Sequence, residues 1–272
     1  LGTQHEIMVS FRFGKDKDQE HKMRELTQQM AETKLREQIL EKKMRGVSHH
    51  LLSVANPMKK FTVTQYQKLA MSAITDIVKR GKIPVIVGGT GFYIDAITKG
   101  LVFPDVPPNA KLRKELQKKS NEELFKILTK LDLSRTKSID AKNKVRLVRA
   151  IEIAKALGKV PHLATKPPSY DFIKIGLSLP ETVLQKKVSK RVEQMFKDGL
   201  LSEITNLKRS GVSNKRLQEF GFEYYEPTEA KVILETIKYA KRQMTWFKRD
   251  KNIAWFSTAE YSKIEKYIKS KF

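Results

Sequence analysis

The stretch Lys82-Ile83-Pro84-Val85-Ile86-Val87-Gly88-Gly89-Thr90-Gly91-Phe92-Tyr93 restricts the fold more than any other. Ile83 to Val87 is a short apolar run rich in β-branched side chains, the composition of a strand buried on both faces of a parallel sheet. It breaks into three glycines around one threonine, and Phe92 to Ile97 then continues as a helix. Ahead of it, Val63, Tyr66, Leu69, Ala70, Ala73, Ile74 and Ile77 recur at helical spacing, and Gly81 stops the run. Helix, strand, glycine loop, helix is the grammar of an α/β core.

The remaining pattern divides the chain into four parts. Residues 1–45 form an atypical N-terminal segment. Ile7 to Phe13 reads as a short strand, and Lys17 to Arg45, free of Pro and Gly, reads as a long charged helix with Met23, Leu26, Met30, Leu40 and Met44 in a weak heptad. Residues 46–107 are the first part of the core. Residues 108–171, entered through Pro107 and Pro108, are an inserted helical subdomain with segments at Leu112 to Lys118, Asn121 to Leu131 and Ala141 to Leu157. Residues 172–272 return to the core: a strand at Phe172 to Leu179, helices at Glu181 to Lys197, Leu200 to Arg209 and Thr228 to Lys248, and a last strand at Asn252 to Phe256.

Charge narrows the partners. A formal net charge of +24 on 272 residues exceeds what solubility requires and points to a polyanion, with nucleic acid ahead of an acidic membrane face. A Lys-rich surface that is merely solvated is the plainer alternative. No apolar stretch reaches the roughly 18 residues of a spanning helix, and no signal-peptide order opens the chain. Cysteine is absent, which excludes disulfides and thiolate metal sites and fits a reducing cytosol. The chain opens on Leu1 rather than Met, the expectation for a fragment or processed product.

Three places can carry chemistry. Gly88, Gly89, Thr90 and Gly91 deliver backbone amides and one hydroxyl to a helix N-terminus, a geometry that favours anions, although such a turn is often only a turn. No Gly-Lys-Ser/Thr follows, so it is not a Walker loop. In the 141–157 helix, Lys142, Arg146, Arg149 and Lys155 share a basic sector while Val145, Val148, Ile151 and Ala154 can face inward. Arg146 and Arg149 are able to clamp phosphates, or simply to face water. In the helix ending at Lys248, an apolar stripe of Ile233, Ile237, Ala240, Met244 and Phe247 opposes Lys238, Lys241, Arg242, Thr245 and Arg249, with Gln243 and Trp246 alongside. That sector suits nucleic acid or a charged exterior equally. His49 and His50 lack metal-ligating companions, so no metal site is assigned.

Taken in order, Gly46-Val47-Ser48-His49-His50-Leu51-Leu52, Ile83 to Tyr93, Val145 to Glu152, Arg191 to Glu203 and Ala240 to Phe247 resemble the tRNA dimethylallyltransferase family, in the bacterial form without a C-terminal zinc finger. The resemblance spans about residues 46 to 256. It implies a P-loop-NTPase-like parallel-sheet core whose inserted helical subdomain grips tRNA, and an N-terminal part that is atypical or missing. It implies transfer of a dimethylallyl group from dimethylallyl diphosphate to N6 of an adenosine beside the anticodon, with Mg2+ assisting. The partners implied are the tRNA anticodon stem-loop and dimethylallyl diphosphate, for a cytoplasmic monomer. Carried over by motif, Thr90 and Arg191 belong to the reacting centre, and Gly88, Gly89, Gly91 and Arg242 to the substrate. The tRNA path takes Arg113, Val145, Arg146, Leu147, Val148, Arg149, Gln218, Gly221, Phe222, Lys241, Gln243, Thr245, Trp246 and Lys248.

Residues 1–45 contain neither the Gly-Lys-Ser/Thr loop nor the Asp-Ser-Met-Gln segment of that family, so no residue is assignable to the diphosphate cradle, the magnesium ligand or the general base. The Gly-Tyr usual in the family's later loop is Gly221-Phe222, and Ile237 replaces a frequent basic residue. Two rivals stand beside this reading: a tRNA-binding remnant without catalysis, and a helical partner-binding protein using the Met23 to Met44 helix.

Overall fold

A computed structural model describes residues 46–271. The expected strand at Ile7 to Phe13 and helix at Lys17 to Arg45 lie outside the described residues. Two compact units divide the chain after Leu52. In the first, residues 46–52 are loop, and the His49 ring nitrogen Nδ1 donates to the Val47 carbonyl at 2.8 Å.

The second unit begins its regular structure with α1 (Val63–Lys79), started by a reciprocal capping box between Thr62 and Gln65. Helix α2 (Gly91–Thr98) packs on α1 through buried Ala96 and Ile97. The Tyr66 and Tyr93 rings stack at 4.8 Å, and burial pushes the Tyr66 pKa up. Gln67 ties the two helices to the chain beyond α2, its amide donating to the carbonyls of Ala96 (2.6 Å) and Leu101 (2.9 Å).

Strand β1 (Leu101–Val102) pairs antiparallel with β2 (Ala164–Thr165), Leu101 opposite Thr165. Just before β1, Gly100 has φ +57°, and a Cβ there would lie 2.1 Å from the Lys166 carbonyl oxygen, so only glycine fits. Between the two strands run α3 (Ala110–Leu116), α4 (Asn121–Leu131), the short α5 (Leu133–Thr136) and α6 (Lys144–Leu157). Each has its own side-chain cap, from Asn109, Ser120, Asp132 and Asn143 in turn. Leu116, Leu124, Leu128, Leu147, Val148, Ala150 and Ile151 form one buried cluster inside this helical block.

Strand β3 (Lys174–Ser178) is parallel to β4 (Ile253–Ser257), in register from Lys174–Ile253 to Ser178–Ser257. Gly176 leaves room for the Trp255 ring, which a Cβ would meet at 2.5 Å. The crossover carries α7 (Glu181–Lys197), α8 (Leu200–Arg209), α9 (Asn214–Phe220) and α10 (Glu229–Phe247), and α11 (Tyr261–Lys269) closes the described chain. Val188 and Val192 of α7 bury against Val232 of α10.

A parallel strand pair bridged by helices places the chain in the expected α/β class. One element departs from expectation. Ile83 to Val87 forms no strand and pairs with none among the described residues, and Ile83, Val85 and Val87 are 70%, 79% and 90% exposed. A buried strand needs a ladder on each side. The described strands β3 and β4 are paired with each other instead.

Candidate functional site

The glycine loop is held by α10. Thr90 is the N-cap residue of α2, yet its hydroxyl does not cap the helix; it lies 3.1 Å from the Tyr239 hydroxyl. The first N–H groups of α2 therefore keep no side-chain acceptor of their own, as an anion site requires. One turn along α10, the Gln243 amide sits where a Cβ on Gly89 would be, 1.9 Å from Nε2, and Trp246 sits where a Cβ on Gly91 would be, 2.2 Å from Cδ1. Trp246 is fixed there by its indole N–H, which donates to Asp95 Oδ2 at 3.1 Å. Lys99 completes the arrangement with a 3.0 Å ion pair to the same oxygen. At Gly91 glycine is a packing requirement set by the anchored Trp246 ring, whereas at Gly89 the neighbour is the end of the flexible Gln243 side chain.

Tyr239, Gln243 and Trp246 form one sector of α10, and a second sector is exposed and basic. Lys238, Lys241, Arg242, Thr245, Lys248 and Arg249 are all exposed, as their spacing predicts. Lys241, Arg242, Thr245, Trp246 and Arg249 line an open depression of about 320 Å3. The Arg242 guanidinium stands 5.6 Å from the Tyr239 ring centroid, within reach of the aromatic face. The third sector is core: Ile233 and Ile237 pack with Val232 against α7. Arg191, exposed on α7, flanks that same interface beside buried Val192.

The helical block redistributes several expected roles. Leu147 and Val148 are 0% and 8% exposed within its core, so their side chains are unavailable to RNA, while Val145, expected to face inward, is 79% exposed. Helix α6 turns Leu147 inward because its apolar sector is centred on Leu147, Ala150, Ile151 and Ala154. Arg146 is exposed. Arg113 and Arg149, half-buried, converge on the Glu152 carboxylate. In the later loop, Gln218 is exposed on α9, Gly221 takes φ +133°, and Phe222 packs against the Val188–Val192–Val232 cluster rather than outward.

Sequence reading missed Tyr239, Asp95 and Glu152. Tyr239 had a signal: it stands three and four positions before Arg242 and Gln243, hence on their side of the helix. Among the described residues no three His, Asp or Glu side chains come together as a metal site.

The family model for IPP transferase matches residues 35–250. The tRNA dimethylallyltransferase of Halothermothrix orenii is 34% identical over 246 residues, covering 82% of this chain and 75% of that protein. That of Bacillus licheniformis is 35% identical over 246 residues, covering 84% and 78%. The crystal structure of the full-length tRNA isopentenylpyrophosphate transferase from Bacillus halodurans aligns with TM-score 0.58 and 29% identity over 85% of this chain and 80% of that one. A eukaryotic dimethylallyltransferase acting on tRNA shares the fold, with TM-score 0.61 and 21% identity over 80% and 62%.

Proposed function

The chain belongs to the IPP transferase family, and on that premise we propose which of its residues serve the modification of tRNA by dimethylallyl transfer. The acceptor is N6 of an adenosine beside the anticodon. Its amine attacks C1 of dimethylallyl diphosphate: a C–N bond forms, the C1–O bond breaks with its electron pair leaving on diphosphate, and the amine loses a proton. Such a reaction needs the two substrates held in line, cations on the leaving group and a polar contact at the acceptor.

The observation that carries the assignment is the seating of α10 on the glycine loop. It brings the Thr90 hydroxyl, the helix α2 N-terminus and the basic depression of Lys241, Arg242 and Arg249 onto one structure. Thr90 contacts the target nucleotide, Gly88 leaves the backbone open to the substrate while Gly89 and Gly91 take the Gln243 and Trp246 side chains of α10 beside it, and Arg242, with Arg191, faces developing negative charge. Lys241, Gln243, Thr245, Trp246 and Lys248 meet the RNA from α10, and Arg113, Arg146 and Arg149 from the helical block. Magnesium remains an implication of the family likeness: the described residues offer it no ligand set. The same reading places the protein in the cytoplasm as a monomer. None of the described helices is long and apolar enough to cross a membrane.

The test is incubation with dimethylallyl diphosphate and unmodified anticodon stem-loop RNA, followed by mass spectrometry of the nucleosides. Adenosine carrying a dimethylallyl group on N6 is the expected product, and Thr90→Ala lowers turnover on the order of a hundredfold while changing RNA affinity far less. RNA binding without product at high enzyme concentration would reduce the protein to a tRNA-binding remnant. Unchanged turnover in Thr90→Ala would remove Thr90 from the reacting centre.

A further inference from the structure

Glu152, in α6, is 2% exposed. Donors from three places meet on its carboxylate: Arg113 side-on through Nε (2.9 Å) and Nη2 (2.7 Å), the Asn109 backbone N–H (2.6 Å), and Arg149 through Nη1. Arg149 turns its second nitrogen, Nη2, to the Val106 carbonyl at 2.9 Å. The backbone is thus pinned on both sides of Pro107–Pro108, residues that have no N–H to offer. Burial pushes the Glu152 pKa up, but the bonds from Arg113, Asn109 and Arg149 outweigh it and hold it at about 2, so the group is an anion at any physiological pH.

A buried carboxylate requires compensation, yet one guanidinium with the backbone N–H would supply it. Here two guanidinium groups share one anion, leaving a net positive charge. Each spends two of its five N–H donors on the contacts above, so three remain on each. Their side chains are 33% and 36% exposed. Two planar forks, immobilised side by side with donors to spare and an excess of charge, match the phosphate oxygens of a nucleic-acid backbone.

We propose that Glu152 is a positioning residue for RNA: it locks Arg113 and Arg149 into one paired fork that grips the phosphate backbone where the helical block begins. The inference rests on the tRNA reading above and adds to it a residue that never touches the RNA.

Charge and positioning predict opposite signs. Removing one anion from a basic surface strengthens polyanion binding if only net charge matters. With Glu152→Gln, positioning predicts weaker binding of a labelled anticodon stem-loop RNA, by about tenfold. It also predicts a salt dependence shallower by about one phosphate contact, measured at a temperature where circular dichroism shows both proteins folded. Arg113→Lys keeps the charge, loses the side-on fork and weakens binding likewise; it decides the matter alone if Glu152→Gln does not fold. Glu152→Gln adds nothing further in the Arg113→Ala/Arg149→Ala background. Wild-type or tighter affinity in Glu152→Gln, or wild-type affinity in Arg113→Lys, overturns the inference while the tRNA reading stands. Wild-type affinity in Arg113→Ala/Arg149→Ala instead removes this surface from the tRNA path.

Discussion

Leu124, Leu128, Leu147 and Ile151 of the helical block are 0% exposed, and their partners all lie between Leu112 and Val160 in the same stretch of chain. In the segment just ahead, Val85 and Val87 are 79% and 90% exposed, and the glycine loop after them is held by residues of α10 far along the chain. One region is closed by its neighbours in sequence, the other by a helix that must arrive from elsewhere. The difference also divides the chemistry. A locally closed block can present a rigid surface, as Glu152 does for Arg113 and Arg149. A loop clasped by a distant helix couples its own geometry to that helix's basic face.

The largest effect expected is in the block. Leu128→Ala removes a fully buried side chain from its central cluster and costs about 2–5 kcal/mol of unfolding free energy, measured as a shift in the urea midpoint at constant slope. A cost below about 1 kcal/mol would mean that the cluster collapses around the gap and is less closed than its burial indicates.

The loop comes next. Gly91→Ala drives a methyl group to within 2.2 Å of Trp246 Cδ1, and Trp246 is anchored by Asp95, so the ring cannot move without giving up that bond. A loss of about 1–3 kcal/mol is expected, with a change in indole fluorescence. Gly89→Ala meets only the end of the flexible Gln243 side chain and costs less. Equal costs at the two positions would show that the clasp is not centred on Trp246.

These two regions also differ in what sequence reveals. The spans of α4, α7 and α8 coincide with the expected Asn121 to Leu131, Glu181 to Lys197 and Leu200 to Arg209, because their apolar period reports burial against a partner nearby. Helix α9 and the two-residue strands β1 and β2 left no period to read. At Ile83 to Val87 the apolar run reports a preference for burial, but not whether a partner is present. The basic sector of α10 was legible from spacing, whereas the sharing of Glu152 between Arg113 and Arg149 joins residues from different helices, and no spacing rule reaches across them. Helix α6 shows the finer limit: Val148, Ile151 and Ala154 face inward as their spacing predicts, but Val145 is exposed and Leu147 is buried in addition.

Acid separates the regions more gently. Asp132 is 7% exposed in the helical block. Its carboxylate accepts from the Ser134 hydroxyl (2.7 Å) and from the N–H groups of Val160 (2.8 Å) and Arg135 (3.0 Å), which hold its pKa at about 2 against an ordinary 3.8. A folded-state pKa below the unfolded one contributes stability that is complete above about pH 4 and lost as pH falls towards about 2. Asp132→Asn forfeits that contribution, so its stability deficit is largest above pH 4 and shrinks across this window. A deficit independent of pH between about 4 and 2 would assign the cost to shape rather than charge.

The smallest effect probes the exposed run itself. Val87 is 90% exposed, so Val87→Ala removes two methyl groups that the described fold does not shelter, and the expected change in unfolding free energy is within about 0.5 kcal/mol. The same substitution at a strand buried on both faces would cost several times more, through lost transfer free energy and the cavity left behind. Urea denaturation of Val87→Ala beside Leu128→Ala therefore measures the contrast between the two regions directly. A loss above about 1 kcal/mol at Val87 would mean that something covers the run in solution, and the glycine loop would then hang from a closed strand as well as from α10.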